Sequence, residues 1–175
     1  MSRPTIRETL VALVGLGCTA IVAACSGAGA SRVGATGDAA EKVYVALGSN
    51  LGDREGHLRA ARAALAALPD TTLVSASTIE ETAPLGGKQQ PPYLNQMVLL
   101  ETRLEPRQLL HALQTIEQAQ GRKRTERWGS RTLDLDIVRF GERRVAEPDL
   151  IIPHPELSNR DFWRRELAEL KPNER

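Results

Sequence analysis

Residues 131–140 read RTLDLDIVRF. Alternation along an extended chain sends Leu133, Leu135 and Ile137 to one face and Asp134 and Asp136 together to the other. The stretch is therefore a strand with an apolar face for packing and an opposite face carrying two carboxylates. Side chains two apart on a strand lie roughly 6.5–7 Å from each other, which suits carboxylates that hold divalent ions about 3.5–4 Å apart between them. Magnesium is the natural guest for hard oxygen ligands beside a phosphate-bearing substrate. A solvated strand end, or simple pairing with arginines, would use the same two residues without any ion, because a bare D-x-D is a frequent pattern.

The residues just upstream favour the first reading. GRKRTERWGSR (121–131) places Arg122, Lys123, Arg124, Arg127 and Arg131 within ten residues. Such crowding of like charge is costly unless a polyanion or the two carboxylates share the space, and guanidinium forks match phosphate oxygens. A basic loop beside a carboxylate pair is what phosphoryl transfer needs: positioning, and neutralisation of charge on the migrating group. A solvated charged turn, or a nucleic-acid patch with Trp128 as a stacking residue, is the competing reading. Gln114 and Glu117, three apart on the helix before this loop, share a face that could read an adenine edge or orient an arginine.

Working outward, VYVAL (43–47) is a buried strand ending at the GSN turn, and Asp53 caps a helix through residues 54–68 with Leu58, Ala61, Leu65 and Leu68 at helical spacing. Residues 72–82 alternate as a strand, APLGGKQQPP (83–92) is turn-rich, and YLNQMVLLETRL (93–104) is another strand. Pro106 opens a second helix with Leu109, Leu113 and Ile116 as its core stripe, and Gly121 closes it. After the 133–140 strand come a hairpin through GERR (141–144) and a late segment, 149–170, whose end is helical. The order strand, helix, strand, strand, helix, strand predicts an α+β domain, a ferredoxin-like antiparallel sheet with helices packed on one face.

The remaining features bound the class. At 175 residues the chain holds one ordinary domain, and 23 basic against 22 acidic residues leave a net charge of +1 that implies no special partner. An aromatic content of 3% gives few stacking platforms for RNA, so no nucleic acid is expected. Residues 1–25 carry Arg3 and Arg7, an uncharged run from Leu10, and VAAC before Ser26, which resembles a bacterial lipobox with Cys25 as the lipid anchor. Residues 26–42 would then be a flexible tether and 43–175 the working domain, which contains no cysteine. A translation start nearer Val43 would place the domain in the cytoplasm instead.

The blocks VALGSNLGDREGHLRAA, ETAPLGGKQQPPYLNQMV, IEQAQGRKRTERWGSRTLDLDIV and IIPHPELSNRDF together resemble 6-hydroxymethyl-7,8-dihydropterin pyrophosphokinases, from about Val43 to Phe162. The resemblance implies transfer of diphosphate from ATP to the pterin hydroxymethyl group with release of AMP, a step of folate biosynthesis. It implies Asp134 and Asp136 as ligands of two magnesium ions, and Arg122 and Arg131 as the groups that steady the diphosphate. Gln114, Glu117, Arg124, Arg127, His154 and Arg160 match positions around the nucleotide. Tyr93 and Phe162 would sandwich the pterin, Asn95 and Thr82 would read its edge, and Leu85 and Trp128 would close the pocket. Such an enzyme is expected to work as a monomer.

Two features fit the resemblance badly: the charged, early-ending WRRELAELKPNER (163–175), and a lipid anchor that would separate the enzyme from ATP. They leave a non-catalytic pterin- or nucleotide-binding lipoprotein as the alternative. A nucleotidyltransferase is weaker, since GSN and DLD lie more than eighty residues apart.

Overall fold

The computed structural model of the chain describes residues 39–84, 89–122 and 129–170. Chain order is β1 (Glu41–Ser49), α1 (Arg54–Ala66), β2 (Thr71–Ala76), β3 (Glu80–Thr82), β4 (Tyr93–Thr102), α2 (Pro106–Ala119), β5 (Asp134–Phe140), β6 (Val145–Glu147), β7 (Leu150–Ile152), a 3-10 turn (Pro155–Ser158) and α3 (Asp161–Glu169). The main sheet runs β2-β4-β1-β5, with β3 pairing the start of β4 and every pair antiparallel. The β1–α1–β2 crossover thus leaves room for β4 between its strands, which is the ferredoxin-like arrangement expected. A separate hairpin, β6-β7, follows β5.

The helix ends follow from local chemistry. The Asp53 carboxylate accepts from the Gly56 amide at 2.9 Å, satisfying one free donor of the first turn of α1. At α2, Pro106 stands at the first turn and Glu105 and Gln108 close a reciprocal capping box. Gly121 follows the last turn at φ +76°, in the left-handed region where a side chain is costly.

One face of the sheet packs on α1 and α2. Leu58, Ala61 and Leu65 of α1, Leu109 and Leu113 of α2, and Val43, Val45, Leu133, Leu135 and Ile137 of the sheet form a continuous core with almost no exposure. Truncating one such leucine to alanine costs about 2–5 kcal/mol.

The expectation of helices on one face holds for α1 and α2 only. α3 lies against the opposite face, where Trp163, Leu167 and Leu170 meet Ala46, Met97, Leu99 and Val138 in a second core. The charged segment that looked out of place is therefore amphipathic. Its apolar residues recur at i, i+4 and i+7, and Arg164 and Arg165 are carried on the exposed side.

The single strand expected over 72–82 is broken after Ala76. The Ser77 N–H still donates to the Met97 carbonyl and the Met97 N–H donates to Ser77 Oγ, but the Thr78 amide and hydroxyl turn to the Glu169 carboxylate at 2.8 and 3.0 Å. That contact ties the β2–β3 joint to the end of α3.

Within α3, Glu166 is 3% exposed, and neither carboxylate oxygen has a hydrogen-bond partner. Burial, then the charges of Glu80 and Glu169, push its pKa from 4.5 up to about 8, with Arg165 pulling the other way. The folded state therefore holds this proton more tightly than the unfolded chain. Its contribution to stability is full below about pH 4.5 and is lost as pH rises to about 8. Glu166→Gln is expected to melt above the parent at pH 8.5, by an amount equivalent to a few kcal/mol at most, with the gap closing towards pH 4.5. Thermal melts across that range check it; a gap independent of pH would contradict the buried acid.

Candidate functional site

The site is built on the sheet face that α3 only partly covers. Register sets Asn95, Gly48 and Asp134 side by side across β4, β1 and β5, and Met97, Ala46 and Asp136 in the next row. The central strand thus offers only a hydrogen and a methyl group between Asn95 and Met97 on one side and the two aspartates on the other. A Cβ on Gly48 would stand 3.5 Å from Asn95 Oδ1 and 3.9 Å from both Asp134 Cβ and Tyr93 Cδ1, within the space a ligand would use. Over this floor opens a cavity of about 350 Å³.

One end of the cavity carries charge. Asp134 pairs with Arg122 at 2.7 Å and with Arg131 in a still closer contact. Asp136, on the same face, has Arg160 at 3.8 Å and His154 at 4.0 Å. Burial and the nearby Asp134 charge raise the Asp136 pKa to about 7, against the pull of Arg160 and Arg131. A carboxylate held protonated by a like neighbour is one whose ionised form a cation would favour. The donor set, two carboxylates on one face beside guanidinium groups, fits a hard divalent ion next to phosphate.

Burial, then Arg160, lowers the pKa of His154, so its ring is neutral at pH 7. His154 Nδ1 accepts from the Glu156 amide at 3.1 Å, which leaves the proton on Nε2, the nitrogen facing Asp136. The ring meets Trp163 edge-on at 5.0 Å, and Arg160 lies over the same indole at 4.2 Å. Trp163 therefore fixes two of the cations or donors at this end.

The other end is flat and polar at its rim. Tyr93 and Phe162 line it together with Thr82 and Asn95. Asn95 Nδ2 donates to Thr82 Oγ1 at 2.8 Å, which orients the amide and presents both groups to a ligand edge. Gln90 also lines the cavity, with the Tyr93 hydroxyl donating to it at 3.5 Å.

Of the residues singled out from sequence, Thr82, Tyr93, Asn95, Arg131, Asp134, Asp136, Arg160 and Phe162 all line this one cavity. His154 and Arg122 reach it through the aspartates. Glu117 sits beneath it: its buried carboxylate pairs with Arg122 and accepts from the Leu135 amide at 2.8 Å. Gln114 lies half-buried on α2, away from the cavity lining. Leu85, Arg124, Arg127 and Trp128 lie outside the described residues, as does Cys25. The sequence reading missed Gly48, Gln90 and Trp163. Trp163 had a signal in the helical spacing of its segment, whereas Gly48 and Gln90 acquire their place from register and loop approach.

Comparison with known proteins bears on the same residues. A family model described as 7,8-dihydro-6-hydroxymethylpterin-pyrophosphokinase matches residues 44–172. Several relatives carry the name 2-amino-4-hydroxy-6-hydroxymethyldihydropteridine pyrophosphokinase, three of them as follows. The Pseudomonas aeruginosa protein is 47% identical over 133 residues, 76% of this chain and 82% of the relative. The Haemophilus influenzae protein is 46% identical over 119 residues, covering 68% and 74% of the two chains. The Bacillus subtilis protein is 45% identical over 127 residues, covering 73% and 76%.

A cation and a proton compete for Asp136. Mg²⁺ binding to the otherwise unliganded protein should tighten by up to about tenfold per pH unit as pH approaches 7 from below, then level off. Asp136→Asn should remove that slope, and calorimetric titration at several pH values reads both. Affinity in the parent that does not change between pH 5.5 and 7 would contradict the raised pKa.

Proposed function

Since the chain belongs to the 7,8-dihydro-6-hydroxymethylpterin-pyrophosphokinase family, we propose that the cavity described above seats both substrates of that reaction. The protein is an ATP-dependent diphosphokinase of folate biosynthesis, moving diphosphate from ATP to the hydroxymethyl group of 6-hydroxymethyl-7,8-dihydropterin. The pterin hydroxymethyl oxygen attacks the β-phosphorus of ATP, the bond from that phosphorus to the α,β-bridging oxygen breaks, AMP departs, and the hydroxyl proton is lost to solvent.

The observation that carries the assignment is that the charged end and the aromatic end share one cavity. Tyr93 and Phe162 provide faces for the flat ring, and Asn95 and Thr82 its hydrogen-bonding rim. Arg131, and Arg122 behind Asp134, neutralise charge on the migrating diphosphate; Arg160 extends that positive wall towards the nucleotide, and His154 adds a neutral Nε2–H donor beside it. Asp134 and Asp136 would hold Mg²⁺, two ions in our reading, whose chemistry is to offset negative charge on the triphosphate. Catalysis on this account is chiefly placement of the hydroxyl in line with the phosphorus, with fixed cations around it.

Asp136→Ala is expected to leave pterin binding within about threefold of the parent while AMP formation falls by at least about a hundredfold, because the loss is confined to the charged end. Equilibrium binding of the pterin alone and an AMP assay on residues 38–175 read the two halves. Full steady-state activity in the variant would overturn the assignment.

Residues 1–25 support a separate proposal, that Cys25 carries a lipid. Because the reaction consumes ATP, such an anchor would remove the domain from its co-substrate, and the alternative keeps the domain in the cytoplasm. Fractionation of cells making a C-terminally tagged full chain, with a palmitate label, decides between a labelled membrane form and an unlabelled soluble one.

A further inference from the structure

Asn50 follows the last residue of β1, is 1% exposed, and is absent from the cavity lining. A buried asparagine at a strand end commonly does no more than satisfy its own amide. The partners of Asn50 set it apart. They belong to two segments far apart in sequence, and each segment feeds one end of the cavity.

Towards the charged end, Asn50 grips both faces of one residue. The Arg131 N–H donates to Asn50 Oδ1 at 2.7 Å, and the Asn50 N–H donates to the Arg131 carbonyl at 3.1 Å. With its peptide groups pinned on both sides, Arg131 has a fixed origin from which its guanidinium reaches Asp134. Towards the aromatic end, Asn50 Nδ2 faces the Pro91 carbonyl at 3.3 Å and Gln90 Oε1 at 3.5 Å; Ser130 Oγ, beside Arg131, is a third acceptor at 3.5 Å. Gln90 in turn accepts from the Tyr93 hydroxyl and lines the cavity.

The two sides differ in kind. The Oδ1 contact is short and single. The amide nitrogen has two hydrogens for three acceptors, all near the outer limit of hydrogen-bonding distance, so that tie is shared and can shift among them. One side chain therefore holds Arg131 firmly and the 90–91 segment loosely.

We propose that Asn50 is a positioning residue that couples the diphosphate-steadying arginine to the pterin-facing segment, so that the spacing between the two ends of the cavity is set by a side chain touching neither substrate. This inference rests on the reaction assigned above. It separates two effects within one side chain, the acceptor that serves Arg131 and the donor that serves residues 90–91.

The test uses the full chain carrying Asn50→Ala or Asn50→Asp, assayed at pH 8. Readouts are kcat from AMP release, pterin affinity from ligand fluorescence without ATP, and the melting temperature. Alanine removes both functions: kcat should fall about a hundredfold and pterin affinity about tenfold. Aspartate restores the acceptor but not the amide donor, so kcat should recover to within about threefold of the parent while pterin affinity stays about tenfold weak. That split between variants is one that a merely stabilising role would not produce. If alanine prevents folding, aspartate alone decides: kcat kept with pterin affinity reduced supports the coupling. In the aspartate variant, both constants unchanged, or both lost together, overturns it. A parent protein that forms no AMP overturns the assigned reaction instead; an active parent with unaltered Asn50 variants overturns only this inference.

Discussion

The structure depends on a conflict that β5 and the residue before it resolve by alternation: the stretch from Leu133 must bury apolar side chains and present carboxylates by turns. Its inward side, Leu133, Leu135 and Ile137, enters the core under α1 and α2. Its outward side would be two like charges on a surface of low polarity, and it is acceptable only because Arg122, Arg131 and Arg160 converge on them. Removing Arg160 leaves Asp136 without its nearby guanidinium; removing Asp134 leaves Arg122 and Arg131 crowded together. The strand, the loop before it and the start of α3 are consequently one electrostatic unit, and phosphate chemistry is performed where that unit opens to solvent.

Much of this could be read in the chain beforehand. Period-two patterning in 133–137 and period-3.6 patterning in 58–65 and 109–116 are local signals, and the packing on α1 and α2 follows them. Asp53, Pro106 and Gly121 mark helix ends by chemistry that does not depend on the rest of the fold. The eight residues brought to one cavity were picked out because the family motifs fix their identity, and period-two alternation fixes their direction on β4 and β5.

What escaped the sequence reading did so for physical reasons. α3 carries Arg164, Arg165, Glu166 and Glu169 among its apolar residues, so its charge content hid a stripe of Trp163, Leu167 and Leu170. The break after Ala76 depends on Glu169, which lies 91 residues from Thr78. Asn50 reads as part of a turn, and nothing local announces partners 41 and 81 residues away. Glu117 could be read as facing an adenine edge or as orienting an arginine; its carboxylate pairs with Arg122, and its bond to the Leu135 amide from below is the part no local pattern announced. Contacts made across loops are invisible to periodicity, because they answer to the closure of the fold and not to its repeat.

Trp163 closes the second core with one side of its indole while ordering His154 and Arg160 with the other. Durability and turnover therefore draw on the same ring. A lineage under pressure to reshape this corner, whether to evade a competitive drug or to accept a bulkier nucleotide, has no neutral first step there: whatever moves the guanidinium also loosens the packing of α3 on the sheet, and compensation has to arise elsewhere in the chain before such a change can persist.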